Sequence, residues 1–308
     1  MLKWADHRDA SRAAAVSSLY FKACEAAELW IHYCDYQGVV SCPAPGTSYK
    51  DHFRTHQLCL TDCYFLSGDI QCAYNCVVQS WRELSRIPLL VASWNCSYVL
   101  TANGVLLCGG GARNTNEAWL YSPDFGQVTK LPSMNCIRAG HGCVNYHHIV
   151  YVFGGSGSRS SCEKFASNQW TLMSQMVFEH AWFTPAVQSS LIYLCGGCTS
   201  HCEVFHPSTE QCSALPVSLP TDTEACAFAC SECIVVLQRG RVTKIRGGEI
   251  ESQETWLDES PWGNMSPVVV GKVAYLPRTD EKLLRRIEVG DTVEVQHLPV
   301  QYSRNSRK

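Results

Sequence analysis

Charge is scarce in this chain: Asp, Glu, Lys and Arg make up 17% of 308 residues, and the formal net charge is only −3. With a pI near 6.4, the chain lacks the concentrated basic surface that DNA or RNA binding requires, so nucleic acid is excluded as the expected partner. The short basic end "SRNSRK" reads as a solvated tail over residues 301–308. Long hydrophobic runs are also missing. The best stretches, such as "IPLLVASW", are far too short to cross a bilayer, and "MLKWADHRDASRAAAV" has no apolar signal-peptide core. A cytoplasmic protein without a membrane span is expected. Three catalytic signatures are absent: the Gly-x-Ser-x-Gly elbow, the Gly-x-x-x-x-Gly-Lys phosphate loop and the His-Glu-x-x-His zinc helix.

Cysteine, by contrast, is abundant. The count of 19 is odd, and without an export signal the default is free thiols packed as small hydrophobes rather than a disulfide framework. Hydrophobic residues make up 46% of the chain, enough to bury a core.

Texture changes near residue 85. Before it, Leu19, Ala23, Ala26 and Trp30 share one helical face, and "HFRTHQLCLTDCYFLSGDIQCAYNCVVQSWREL" shows the same spacing twice, broken at Ser67, Gly68 and Asp69. Residues 1–85 are therefore expected to form helical hairpins. The second hairpin resembles a tetratricopeptide repeat, with Leu60 and Tyr64 on one helix and Ala73 and Val77 on the other. The repeat's Trp, first-helix Gly and closing Pro are replaced by Gln57, Thr61 and Ser85.

After residue 90, "GVLLCGGG", "IVYVFGGS" and "LIYLCGGC" each end an apolar run in a glycine pair: Gly109 and Gly110, Gly154 and Gly155, Gly196 and Gly197. The pairs recur at about 45 and then about 42 residues, one propeller blade apart. Each pair is followed by a glutamate (Glu117, Glu163, Glu203), a turn and a last strand, so the unit is four short antiparallel strands.

This pattern resembles the kelch repeat. The fullest copy runs from Arg138 to Met176, with Arg138, Gly140 and His141 opening it and Glu163 and Trp170 near its end. The resemblance implies a multidomain α plus all-β chain: helical hairpins over 1–85, then a kelch-type β-propeller of four-stranded antiparallel blades over 86–300. Glycines serve where backbones converge, and the Trp fills the gap between sheets. Five units are recognisable. In the fourth, Gln238 and Arg239 replace the glycines and Trp256 closes the unit; in the fifth, Pro277 and Arg278 stand there. Kelch propellers commonly close with six or seven blades, so either "QSWRELSRIP", with Trp81 and Leu84, joins the last sheet as a closing strand, or the ring is small.

The segment "YLCGGCTSHCEVF" brings Cys195, Cys198, His201 and Cys202 into the spacing of a zinc site. Repeat register argues otherwise: Cys195 aligns with Cys108 and Phe153, Cys198 with Gly111 and Ser156, and Cys202 with Asn116 and Cys162. These are ordinary blade positions, and no metal or other cofactor is expected. Likewise Cys226, Cys230 and Cys233 lie on alternating faces of strands. His141 is expected to bond backbone within its blade, and His147 and His148 to sit exposed in a turn. The three repeated glutamates are expected to make blade-to-blade contacts rather than a carboxylate array.

The expected function is a non-enzymatic protein-interaction scaffold that binds protein partners through loops on the propeller rim. Candidate contacts are Arg113, Asn114, Ser158, Arg159 and His201, in the loops after the glycine pairs. The kelch resemblance also allows a substrate receptor of a cullin-type ubiquitin ligase, or an enzyme with its site at the central mouth.

Overall fold

The computed structural model describes residues 62–299, apart from 68–69, 77–78, 85–94, 102, 112–114, 124–125, 221–222, 231, 256–266, 271, 279–282 and 291. These residues form six sheets arranged as propeller blades, antiparallel but for one strand pairing. Blade 1 holds β1 (Asp62–Ser67), β2 (Ile70–Asn75) and β3 (Ser80–Glu83); blade 2 holds β4 (Ser97–Thr101), β5 (Gly104–Cys108), β6 (Ala118–Ser122) and β7 (Gln127–Leu131). Blade 3 is β8 (Gly142–Tyr146), β9 (Ile149–Phe153), β10 (Cys162–Ala166) and β11 (Gln169–Leu172). Blade 4 opens with β12 (Phe183–Thr184) and continues through β13 (Ala186–Gln188), β14 (Leu191–Cys195), β15 (His201–His206) and β16 (Gln211–Ser218). Blade 5 is β17 (Ala225–Cys230), β18 (Cys233–Gln238), β19 (Arg241–Arg246) and β20 (Glu249–Thr255). Blade 6 is β21 (Val268–Val270), β22 (Val273–Arg278), β23 (Leu283–Val289) and β24 (Val293–Pro299).

Burial follows position within the blade. The second strand, covered on both faces by neighbouring sheets, is a continuous apolar run: all of β18, "CIVVLQ", is buried. The outermost strand faces solvent, and β20, "EIESQET", is mostly exposed. Hairpins are closed by residue pairs in the left-handed conformation, His147–His148 (φ 47° and 64°) and Ser167–Asn168 (φ 49° and 62°). Both histidines are exposed in that turn. In blade 4, Pro185 has no N–H to donate and separates β12 from β13, and β12 pairs in parallel with β17 of the next blade.

Asp62–Ser67, Ile70–Asn75 and Ser80–Glu83 are strands, which corrects the helical-hairpin expectation for those residues. Tyr64 and Ala73, expected on two packed helices, are cross-strand partners in the antiparallel pair of β1 and β2. The reason is physical: a strand covered on both faces gives an unbroken apolar run that helical spacing also fits. Leu60, Val77 and the earlier hairpin positions lie outside the described residues, as does the 301–308 tail. Ser80–Glu83 pairs with β2 of its own sheet, so it does not join the last one.

Ring closure comes from side-chain packing between the first and last blades. Cys63, Cys72, Tyr74 and Cys76 form one buried cluster with Tyr275 and Leu284, and the Cys63 thiol donates to the Tyr275 carbonyl at 3.5 Å. Comparable clusters join blades 1 and 2, 2 and 3, 3 through 5, and 5 and 6.

Candidate functional site

The glycine pairs let one blade approach the next. At Gly154, with φ +62°, a Cβ would stand 2.2 Å from the His180 carbonyl oxygen. The neighbouring Gly155 N–H donates to that same carbonyl at 2.8 Å, as Gly110 N–H does to the Arg138 carbonyl at 2.7 Å. Gly154→Ala is therefore expected to destabilise the fold by at least about 2 kcal/mol, combining left-handed strain with a backbone clash, measured by urea unfolding. Blade 5 dispenses with the pair because Gln238 leads into Arg241 through a tight hairpin with Gly240 at φ +67°.

Below the rim, Glu163 is fully buried and clamps the loop that leads into its blade. Its Oε2 accepts from Asn135 N (2.6 Å) and Nδ2 (2.8 Å), and its Oε1 from Cys136 N (3.0 Å). Arg138, also fully buried, donates to Oε1 from Nη2 at 2.9 Å and Nε at 3.2 Å. Its Nη1 donates to the carbonyls of Gly154 (2.7 Å) and Ser161 (3.0 Å). Trp170 fills the gap to blade 2, its Nε1 donating to the Pro132 carbonyl at 2.9 Å.

Blade 4 builds the same clamp from different chemistry. Glu203 accepts from Val177 N (2.8 Å) and Phe178 N (3.2 Å), and His180 stands where Arg138 does. Its Nε2 lies 3.0 Å from Glu203 Oε1 and its Nδ1 2.7 Å from the Gly196 carbonyl, so each ring nitrogen faces an acceptor. Sequence reading missed His180, although Met134-x-x-x-Arg138-Ala and Met176-x-x-x-His180-Ala share one spacing.

Glu117 is not part of this series. Gly109, Gly154 and Gly196 donate their N–H groups to the carbonyls of Glu117, Ser161 and His201 respectively, so Glu117 sits two residues short of the clamp position, which Trp119 occupies. That two-residue slip leaves Glu117 ahead of β6, where it pairs with Lys130 on the surface at 2.7 Å. The same slip places Cys202 opposite Ala118 rather than Asn116.

His141 is buried and, contrary to the expectation of a backbone partner, places Nε2 3.3 Å from the Cys108 sulfur. That thiol is held well above its ordinary range, first by its hydrogen bond with Cys143 and then by burial. The four residues with zinc-like spacing divide between core and surface. Cys195 and Cys202 face each other across β14 and β15, both fully buried. Cys198 reaches out to the Glu179 carbonyl at 3.6 Å, and His201 is exposed. The Cys202 hydrogen bond and burial push the Cys195 thiol well up. Among the described residues, no group of three or more His, Cys, Asp or Glu converges as metal ligands would.

On the rim, the structure brings Arg159 and His201 to either side of the loop carrying Val177, Phe178 and Glu179. Arg159 Nη1 lies 3.7 Å from Glu179 Oε2, with both side chains more than half exposed. Phe178 stacks on His201 with centroids 4.3 Å apart and planes 17° apart. Val177 is 53% exposed, and Ile137, on the equivalent loop of blade 3, 49%. Ser158 turns its hydroxyl onto the Gly157 carbonyl at 2.7 Å, and Arg113 and Asn114 lie outside the described residues. No helix among the described residues is long and apolar enough to cross a membrane.

Six antiparallel blades closed by packing of the first on the last define a β-propeller. With the glycine pairs, the buried Arg–Glu clamp and the interblade Trp, it is a kelch-repeat propeller. Kelch-like protein 23 of Homo sapiens and that of Mus musculus are each 25% identical over 232 residues, covering 70% of this chain and 39% of theirs. The Pongo abelii protein of the same name is 26% identical over 212 residues, 64% of this chain and 36% of its own. The chain thus spans about two fifths of the length of these relatives. The solved structure described as "Structure of YjhT" matches with a TM-score of 0.58 over 73% of this chain and 90% of that one, at 11% identity, a likeness of fold alone. No family model matches the chain.

Proposed function

We propose that this propeller is a non-enzymatic binding module that holds a protein partner on the rim formed by the loops before each first strand and after each glycine pair. The observation that carries this reading is the patch at blades 3 and 4. Exposed Val177 and Ile137, the Phe178–His201 stack and the solvated Arg159–Glu179 pair stand on loops anchored from below by Glu163 and Glu203. A rigid patch that mixes apolar and charged groups suits a protein surface. The buried ionisable groups beneath it support a structural role, because Arg138, Glu163, His180 and Glu203 spend their hydrogen bonds on backbone and on each other.

Crosslinking in cells followed by mass spectrometry tests the proposal. The wild-type chain should capture a defined protein set that Val177→Asp combined with Phe178→Ala reduces at least roughly tenfold, the cost of losing a small interface anchor. An unchanged set would sink the rim as the site. Recovery of cullin-type subunits with the wild type would specify the scaffold as a ligase substrate receptor.

A further inference from the structure

In blade 4, β14 and β15 bring two thiols face to face. Cys195 and Cys202 are cross-strand partners, and both are fully buried. The Gly196 N–H donates to the His201 carbonyl at 3.1 Å, one step beyond Cys195 and one step before Cys202, so the two cysteines are a non-hydrogen-bonded pair of the ladder. Such a pair sets its Cα atoms about 4.5 Å apart, with the side chains on one face. That separation lies inside the range of roughly 4.4–6.8 Å that a disulfide spans. The two thiols already share a hydrogen bond. Packing does not demand a second cysteine, because the same ladder position holds Cys108 with Ala118 in blade 2 and Phe153 with Cys162 in blade 3. Cys230 and Cys233 are partners too, but there the Cys233 thiol is turned onto the Cys230 carbonyl at 3.3 Å.

The pair closes the loop of residues 196–201, and that loop is fastened to the rim. Cys198 donates its N–H to the Ala181 carbonyl at 2.9 Å and its thiol to the Glu179 carbonyl at 3.6 Å. His201 stacks on Phe178, and Glu203, next to Cys202, accepts from the N–H groups of Val177 and Phe178. A covalent link from Cys195 to Cys202 therefore restrains both ends of the loop and the strand that carries the clamp.

We propose that Cys195 and Cys202 form a reversible disulfide that fixes the rim loops of blade 4, a redox control on the patch assigned to partner binding. The control rests on the rim reading, whereas the cross-link stands without it. The oxidant is a low-molecular-weight disulfide. One protein thiolate attacks it, giving a mixed disulfide and expelling one thiol; the second attacks the protein sulfur of that mixed disulfide and expels the other. Two protein thiols are oxidised, the reagent disulfide is reduced, and the two protons leave on the expelled thiols. In the closed fold the shared hydrogen bond and burial hold the Cys195 thiol well above its ordinary range. Exchange therefore enters when the glycine-containing loop opens, and the same burial shields the disulfide once formed.

The test incubates the full chain in glutathione buffers, from reduced to oxidised. Thiols are then labelled in denaturant with one maleimide before reduction and an isotopically heavier one after it, and peptide mass spectrometry reads each cysteine. Cys195 and Cys202 should oxidise together, with no glutathione retained, at least about tenfold more than Cys226, which is equally buried but opposed by Leu237. Hydrogen exchange of the Val177 and Phe178 amides should slow at least about threefold in the oxidised protein. Cys202→Ala, which takes the residue blade 2 has there, should leave Cys195 reduced and that exchange indifferent to the buffer; thermal unfolding establishes that the variant is folded. Cys195 and Cys202 still reduced in the oxidised buffer, or either of them oxidised with Cys198 in place of the other, overturns the cross-link. A cross-link that leaves exchange at Val177 and Phe178 unchanged overturns the control. Neither readout needs a partner, so partner capture by the Val177 and Phe178 variant reports on the rim separately.

Discussion

Glu163→Ala is expected to cost about 3–5 kcal/mol of unfolding free energy, the largest loss for any single truncation on the rim clamps, because it strands a buried guanidinium. Arg138 is fully buried, and its charge has no other carboxylate among its hydrogen-bond partners. An arginine cannot shed its proton to escape. The N–H groups of Asn135 and Cys136 lose their acceptor at the same time. A domain with about 5–15 kcal/mol in hand then sits near its threshold. Glu203→Ala should cost measurably less, because it strands no guanidinium and His180 keeps its hydrogen bond to the Gly196 carbonyl. Replacing Arg138 with Met and Glu163 with Leu together should not restore stability, since the backbone groups both side chains satisfy would remain unpaired. Equal losses for the two glutamates in urea titrations, or recovery in the double variant, would show that the clamp is an isolated ion pair.

Alkaline pH should be nearly as damaging. Burial pushes the Cys226 thiol from an ordinary 9.0 to about 12, and Cys108 and Cys195 are raised in the same direction by thiol hydrogen bonds and burial. In the unfolded chain these thiols ionise above pH 9 while the folded protein keeps its protons, so the unfolded state binds fewer protons and stability falls as pH rises. The stabilisation is complete below pH 9 and is lost through the window from 9 to about 12. Each fully buried thiol contributes about 1.4 kcal/mol per pH unit there, so three together lower stability by about 4 kcal/mol at pH 10. Unfolding of the reduced protein at pH 8 and pH 10 measures this. Cys226→Ala should reduce the difference by about 1.4 kcal/mol, and a flat profile would show that these thiols already ionise in the fold.

The rim clamps show where sequence reading reached its limit. Glu163 and Glu203 follow the first glycine of their pairs by nine and by seven residues, yet they lie at one structural position. Glu117 has an intermediate spacing, eight residues after Gly109, but stands two residues early, ahead of its strand. The loops after the glycine pairs differ in length, so spacing counted across them cannot fix where the next strand begins. His180 was hidden for another reason: it replaces Arg138 by a different residue type, and only the donors and acceptors around it reveal the shared role. Blade 1 was misread because Cys63, Tyr64, Cys72, Ala73 and Tyr74, buried consecutively between two sheets, carry no period of two.

By itself the sequence determined the blade unit from Gly109 onward, because a turn that only glycine makes cheaply must recur wherever strands converge. It also determined that the cysteines of "YLCGGCTSHCEVF" fill positions a blade occupies in any case. Tertiary structure alone decided the number of blades, the closure of the ring by Cys63 and Tyr74 against Tyr275 and Leu284, and the meeting of Arg159, Phe178, Glu179 and His201 on one patch. Those contacts join residues from different blades, and the side chains that meet there are chosen by the geometry of the ring rather than by any periodicity along the chain.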